Sequence, residues 1–205
     1  MKKLLLILLC LPMIGLGQTE YKKIYYEKYG TLKSEGNYID GKEEGFFRYY
    51  YNNGQIEIAA NWKNGTLDGL FKEYTSNGTL VKKGSYKDDE KDGLWERWLD
   101  NGQKSSEKNY KDGKEDRGNL KLWYSNGQLK REVITYKDGK YATSFKHYYE
   151  NGQLKRVGNY KDEELDGLWK HYYENGQLYI LVNYKDGIFI NSKCWDEEEN
   201  EIDCE

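Results

Sequence analysis

The residues of this chain that could do chemistry are two histidines, one glycine-containing turn, two acidic turns and three cysteines. His147 and His171 lie 24 residues apart. A metal site needs a third ligand in phase with them, and none follows. No nucleophile stands beside either to form a nucleophile–base pair. Gly36-Asn37-Tyr38-Ile39-Asp40-Gly41-Lys42 matches most of a phosphate-binding loop. The next residue is Glu43, where such a loop places the Ser or Thr that holds Mg²⁺. Asp88-x-Glu90-x-Asp92-Gly93 and Asp162-x-Glu164-x-Asp166-Gly167 open like calcium loops. Their twelfth positions are Leu99 and Tyr173, not the bidentate Glu that closes the ligand set. The other carboxylates recur with the turns, so no isolated acid–base pair emerges. The expectation is a protein that is not an enzyme and carries no cofactor and no metal.

The elements that position these residues begin after the first segment. Residues 1–17 read as a secretory signal peptide: Lys2 and Lys3, an apolar run at 4–11, then Gly15-Leu16-Gly17 before Gln18. The run is short of the roughly 20 residues a membrane span needs, and Pro12 breaks it. Cys10 follows Leu9 inside the apolar run, unlike a lipid-bearing cysteine. Cleavage removes Lys2 and Lys3 from the 32 basic residues and none of the 35 acids, which leaves a net charge of −5. That charge offers no basic field for nucleic acid. The expected location is periplasmic or extracellular.

A 24-residue period organises the rest. Asn-Gly recurs at 53–54, 77–78, 101–102, 126–127, 151–152 and 175–176, with glycine spacings of 24, 24, 25, 25 and 24. Tyr29-Gly30 holds the place one period earlier, which makes seven units. Asp40-Gly41, Asn64-Gly65, Asp112-Gly113, Asp138-Gly139 and Asp186-Gly187 keep the same beat. Asn-Gly between Tyr- and Trp-rich runs predicts a β-hairpin with a type I′ turn, and Asp-Gly predicts the return turn. Helical periodicity is absent. The fold class is all-β, an elongated single array of about seven stacked antiparallel hairpins over 18–187, with a C-terminal cap over 188–205. The two extra residues of the 25-residue spacings fall at 112–118, predicting a longer turn, and at 132–136, predicting a β-bulge.

A two-residue turn at Asn175-Gly176 would pair Tyr173 with Leu178, His171 with Ile180 and Trp169 with Val182, all on one packed face. On that face a large ring meets a small residue across the strands: Phe47 and Ala60, Phe71 and Gly84, Phe145 and Gly158. The opposite face carries an aromatic in every unit, Tyr26, Tyr50, Tyr74, Trp98, Trp123, Tyr148 and Tyr172. These rings either pack over neighbouring units or form an exposed binding ladder.

The submotifs Asp-Gly, Gly-Leu-Trp, Tyr-Tyr-x-Asn-Gly-Gln-Leu and Asn-Tyr-Lys-Asp-Gly recur in fixed order over 21–187. This pattern resembles the bacterial variant of the MORN repeat. Lys23, Thr143 and Lys104 depart from it. The resemblance implies an elongated antiparallel β-array used as a scaffold or binding surface. Bacterial members are often labelled antitoxin components of toxin–antitoxin systems, a label that transfers poorly to a chain with an export signal. A weaker likeness is to choline- and glucan-binding repeats, but the regular Tyr-Lys-Asp-Gly half favours the MORN variant.

The leading expectation is a secreted, non-catalytic scaffold that binds another protein in the cell envelope or outside the cell. The alternative is a glycan or cell-wall binder, because equivalent rings two strands apart stand about 10 Å from each other. The acidic charge and the lack of a polybasic stretch weigh against a membrane surface. After cleavage Cys194 and Cys204 remain, a disulfide in an oxidising compartment or else two free thiols. A turn centred on Glu199 would place them directly opposite each other in a capping hairpin, and predicts the disulfide.

Overall fold

The computed structural model describes residues 18–137 and 141–204. Residues 1–17, read above as a signal peptide, and Asp138-Gly139, read as a return turn, lie outside the described residues. Sixteen strands form one antiparallel sheet in sequence order, each bonded to the next. Among the described residues there is no helix. Seven hairpins carry the repeat: β1 (Thr19–Tyr25) with β2 (Leu32–Ile39), β3 (Lys42–Tyr50) with β4 (Ile56–Lys63), β5 (Thr66–Tyr74) with β6 (Leu80–Lys87), β7 (Glu90–Trp98) with β8 (Lys104–Lys111), β9 (Lys114–Trp123) with β10 (Leu129–Lys137), β11 (Tyr141–Tyr148) with β12 (Leu154–Lys161), and β13 (Glu164–Tyr172) with β14 (Leu178–Lys185). The last pair is β15 (Ile188–Trp195) with β16 (Glu201–Ile202).

The expected type I′ geometry is absent from the repeated Asn-Gly turns at 53–54 to 175–176 and is found at the return turns. The return turns are the type I′ ones: Asp40 and Gly41 both have positive φ (50° and 79°), as do Asp112 and Gly113 (48° and 72°). Asp88-Asp89 and Asp162-Glu163 adopt it without a glycine. At the Asn-Gly turns only the glycine is left-handed, as at Gly176 with φ 90°. The Gly176 N–H donates to the Tyr173 carbonyl (3.0 Å), and the Tyr173 N–H donates to the Gln177 carbonyl (2.8 Å). This is a three-residue loop, a type I turn followed by a left-handed glycine. Its Asn side chain explains the sequence, because Asn175 Oδ1 accepts the Gln177 N–H at 2.9 Å.

The three-residue loop changes the local register. His171 pairs with Ile180 and Trp169 with Val182 as expected, but Leu178 pairs with Tyr172, not Tyr173, and Tyr179 is the extra residue of a bulge. The same bulge recurs at Glu57, Val81, Ser105, Lys130 and Lys155. Two expectations about the longer units also change. The turn after β8 keeps two residues, with Lys111 opposite Lys114, and the additional residue lies within 117–119 of β9. The β10–β11 ladder has no bulge at all. There Thr143 stands where other units have a left-handed glycine, and its hydroxyl meets that of Thr135 at 2.9 Å.

One face carries the core. Phe47, Ala60, Phe71, Trp95, Val133, Phe145, Trp169 and Val182 are buried along it. Phe71 pairs with Gly84 and Phe145 with Gly158, yet the rings lying on those glycines are Trp95 and Trp169 of the following unit. Gly36 lies under Phe47 in the same way. Each Trp therefore stands beyond a glycine from the preceding ring, with centroids 5.7 Å apart for Phe71–Trp95 and 5.8 Å for Phe145–Trp169. The Tyr of each Tyr-Lys pair meets the Trp edge-on, Tyr86 at 4.9 Å and Tyr160 at 5.0 Å. The indole N–H groups donate to Ser85 and Asn159 carbonyls (3.1 and 3.0 Å). The column breaks once. Lys108 pairs with Trp95 and with Leu120 where Gly, Ala or Val stands elsewhere, and its Nζ turns to Glu115 at 2.8 Å. Two buried clusters result, one on each side.

The chain ends in the disulfide Cys194–Cys204, with a Cα–Cα distance of 5.4 Å. The cysteines are not directly opposed. Cys194 pairs with Ile202, because the turn is built on Asp196, whose Oδ1 accepts the N–H groups of Glu198 and Asn200 (3.0 and 2.9 Å). Cys204 reaches back from beyond the end of β16.

A Cβ at residue 84 or 158 would overlap the indole carbons of Trp95 or Trp169. Gly84→Ala and Gly158→Ala should each destabilise the array by about 1–3 kcal/mol, the usual cost of overpacking. Urea denaturation checks this, and a change under about 0.5 kcal/mol would show that the rings are free to lift away.

Candidate functional site

The aromatic ladder is set by register. Tyr50, Tyr74, Trp98, Trp123, Tyr148 and Tyr172 close successive odd strands, opposite Ile56, Leu80, Lys104, Leu129, Leu154 and Leu178. In the first hairpin the equivalent is Tyr25, which pairs with Leu32; Tyr26 is not on the ladder. The first loop is one residue longer, bonded Tyr26 N–H to Thr31 carbonyl (2.8 Å) where the next bonds Tyr51 to Gln55. That insertion moves Tyr26 into the place of Tyr51.

All six ladder rings on the regular units are half-buried. The Tyr50 hydroxyl donates to Glu35 Oε1 at 2.6 Å. Burial and that bond push its pKa up to about 12. Glu35 is held below the usual carboxylate range by the Tyr50 and Tyr21 hydroxyls, and further by Lys23 and Arg48. Lys104 Nζ stands over both Trp98 and Trp123, 5.6 and 5.7 Å from their centroids, and bonds Glu96 and Glu107 (2.7 and 2.5 Å). The Lys in place of Leu is thus a polar clasp between two rungs.

The residue after each rung does something the sequence reading missed. Its phenol donates to the carbonyl of the next rung or its equivalent: Tyr26 to Tyr50 (2.7 Å), Tyr51 to Tyr74 (2.8 Å), Tyr124 to Tyr148 (2.9 Å), Tyr149 to Tyr172 (2.8 Å) and Tyr173 to Trp195 (3.1 Å). The recurrent Tyr-Tyr doublet was the available signal. Turn asparagines add a second stitch, with Asn126 Nδ2 donating to the Glu150 carbonyl at 2.8 Å. Thr75 and Leu99 replace the stitching tyrosine in two units. A cleft of about 360 Å³ opens there, lined by Tyr51, Tyr74, Thr75, Lys82, Arg97 and Trp98 among others.

The other chemical candidates are structural parts of the array. Residues 36–42 are the end of β2 and a type I′ turn, with Gly36 beneath Phe47. The acidic turns close the ladder, and Asp89 Oδ1 accepts the Leu67 N–H at 2.7 Å. His147 pairs with Arg131 and Arg156, and His171 with Arg156. Burial lowers both imidazole pKa values, and the cations around them lower them further: Arg156, Lys155, Lys130 and Arg131 at His147, and Arg156 at His171.

A comparison with protein-family models matches the MORN repeat variant at residues 43–64, 67–88, 91–112, 117–138, 144–162 and 165–186. These matches cover more than half of the chain and fall on the six hairpins from β3 to β14. The β1–β2 hairpin repeats the same architecture outside the matched segments. No curated protein matches the chain.

The histidines carry a pH dependence with a definite sign. Their folded pKa values lie below the unfolded value of about 6.5. Their contribution is therefore fully present above that pH and is lost as pH falls through it toward the folded values. Melting temperature should drop between pH 7.5 and 5.5, and His147→Gln with His171→Gln should flatten that slope. Equal slopes in thermal melts of the two proteins would contradict the assignment.

Proposed function

The chain belongs to the MORN repeat variant family, which makes it a repeat scaffold, and we propose that it is an exported, non-catalytic scaffold that binds another protein. The observation that carries this reading is a row of exposed apolar side chains on the face opposite the core. Phe46, Leu94 and Leu168 occupy one register position on β3, β7 and β13 and are 41%, 49% and 50% exposed. The Gly-Leu-Trp submotif thus sends its Trp into the core and its Leu to solvent. Beside this row runs a line of charges, in which Lys83 pairs with Glu96 (3.2 Å) and Lys121 with Glu132 (3.4 Å). Apolar anchors ringed by polar groups are the makeup of a protein interface. Export rests on the signal pattern at 1–17. The absence of a nucleophile–base pair in the sequence supports a binding role.

Glycan stacking on the ladder is the second reading, favoured by one ring in every two strands. The half-burial of the rungs and the Lys104 clasp over Trp98 and Trp123 favour the protein reading. Cross-linked pull-down from a cell-envelope extract, read by mass spectrometry, separates them. Leu94→Asp with Leu168→Asp should remove the captured partner while the fold is kept, and Trp98→Ala with Trp123→Ala on a glycan array should change nothing. Loss of glycan binding in the Trp variant, with no protein captured by the wild type, would reverse the assignment.

A further inference from the structure

The core-bearing face carries a second feature that the repeat does not require. One register row near the Asn-Gly edge can be followed strand by strand. Lys82 pairs with Arg97, Arg97 with Ser106, Ser106 with Leu122, Leu122 with Arg131, Arg131 with His147, His147 with Arg156, and Arg156 with His171. Six of these eight positions, on β6 to β13, are basic or imidazole side chains. The row spans seven strand spacings, about 34 Å. The chain as a whole is acidic, so this concentration is against its average. Lys82 is ion-paired with Glu73. Among the described residues no ion pair reaches Arg97, Arg131 or Arg156.

The arginines are held in place without being neutralised. The Arg131 and Arg156 guanidinium groups stand over the Phe145 ring, 5.0 and 4.9 Å from its centroid. Arg156 Nε is buried with no hydrogen-bond partner, so an incoming carboxylate meets this guanidinium at its terminal nitrogens. Lys130 and Lys155 flank the row over Tyr124 and Tyr149. Arg131 and Arg156 are two strands apart, about 10 Å. An extended peptide would offer same-side carboxylates about 7 Å apart, and a nucleic-acid strand offers phosphates more closely still. A linear glycan with one carboxylate per disaccharide has a repeat near the Arg131–Arg156 spacing.

We propose that this row binds an acidic polysaccharide laid along the array, with Arg131 and Arg156 taking carboxylates of successive disaccharides and Arg97, three strands or about 14 Å beyond Arg131, adding positive charge along the row. The guanidinium fork suits a carboxylate in two-point contact. The site lies on the face opposite Leu94 and Leu168 and does not depend on the protein-binding reading.

The test is titration calorimetry of the mature chain with hyaluronan decasaccharide, which alternates glucuronate with a neutral sugar. Binding should appear at 50 mM salt and weaken at 300 mM, as a contact between charges requires. Arg131→Ala with Arg156→Ala should weaken it at least tenfold, and Arg97→Ala, at an exposed position, about threefold with an unchanged melting temperature. Leu94→Asp with Leu168→Asp should leave it unchanged, which separates failure here from failure of the protein-binding reading. Absence of binding at 50 mM salt would overturn the proposal. So would equal or tighter binding of poly-glutamate, oligo-thymidylate or a neutral glucan, or wild-type affinity in both arginine variants.

Discussion

The structure depends on how closely one ring approaches the backbone of the strand before it. Trp95 lies on Gly84 and Trp169 on Gly158 with no room for a Cβ. To reach that position the strand carrying the ring must gain residues over its neighbour, and it does so through a left-handed glycine, Gly93 or Gly167, both with φ 73°. A single-layered sheet has no second layer to pack against. Laying each ring flat on the preceding unit gives the sheet a core of its own. The 24-residue period is the chain length needed to repeat that one contact, with an edge-on tyrosine closing its side.

The architecture was legible because hairpin signals and ring-to-small pairings are local and frequent. Seven hairpins, the packed face, and the pairs Phe47–Ala60, Phe71–Gly84 and Phe145–Gly158 follow from alternation and turn spacing. What was not legible depends on backbone geometry that residue type underdetermines. Asn-Gly favours a type I′ turn, but here the Asn side chain bonds the following Gln N–H and a three-residue loop forms. That choice introduces the recurrent bulge and shifts Tyr173 away from Leu178. It also turns the second tyrosine of each doublet into a stitch between units. Tyr26 was misplaced for a similar reason, since one added residue in its loop changes which tyrosine ends the strand.

The two faces divide the work. On the core face, packing controls residue choice, and departures from it stand out against the repeat. Lys108 in the column, and Thr75 and Leu99 in the stitching row, fall in neighbouring units, and the cleft opens beside Thr75. On the opposite face the repeat specifies only an aromatic rung and an apolar or polar position that Phe46, Leu94 and Leu168 leave exposed.

If ring-on-glycine stacking carries the cohesion of the array, cohesion must be lowest where the column is interrupted. Amide hydrogen exchange resolved by strand measures this directly, because each unit opens with its own free energy. The predicted profile has two protected blocks, β2–β7 and β10–β14, with a minimum at β8–β9, where Lys108 faces Leu120. Uniform protection along the sheet, or a maximum at β8–β9, would contradict it.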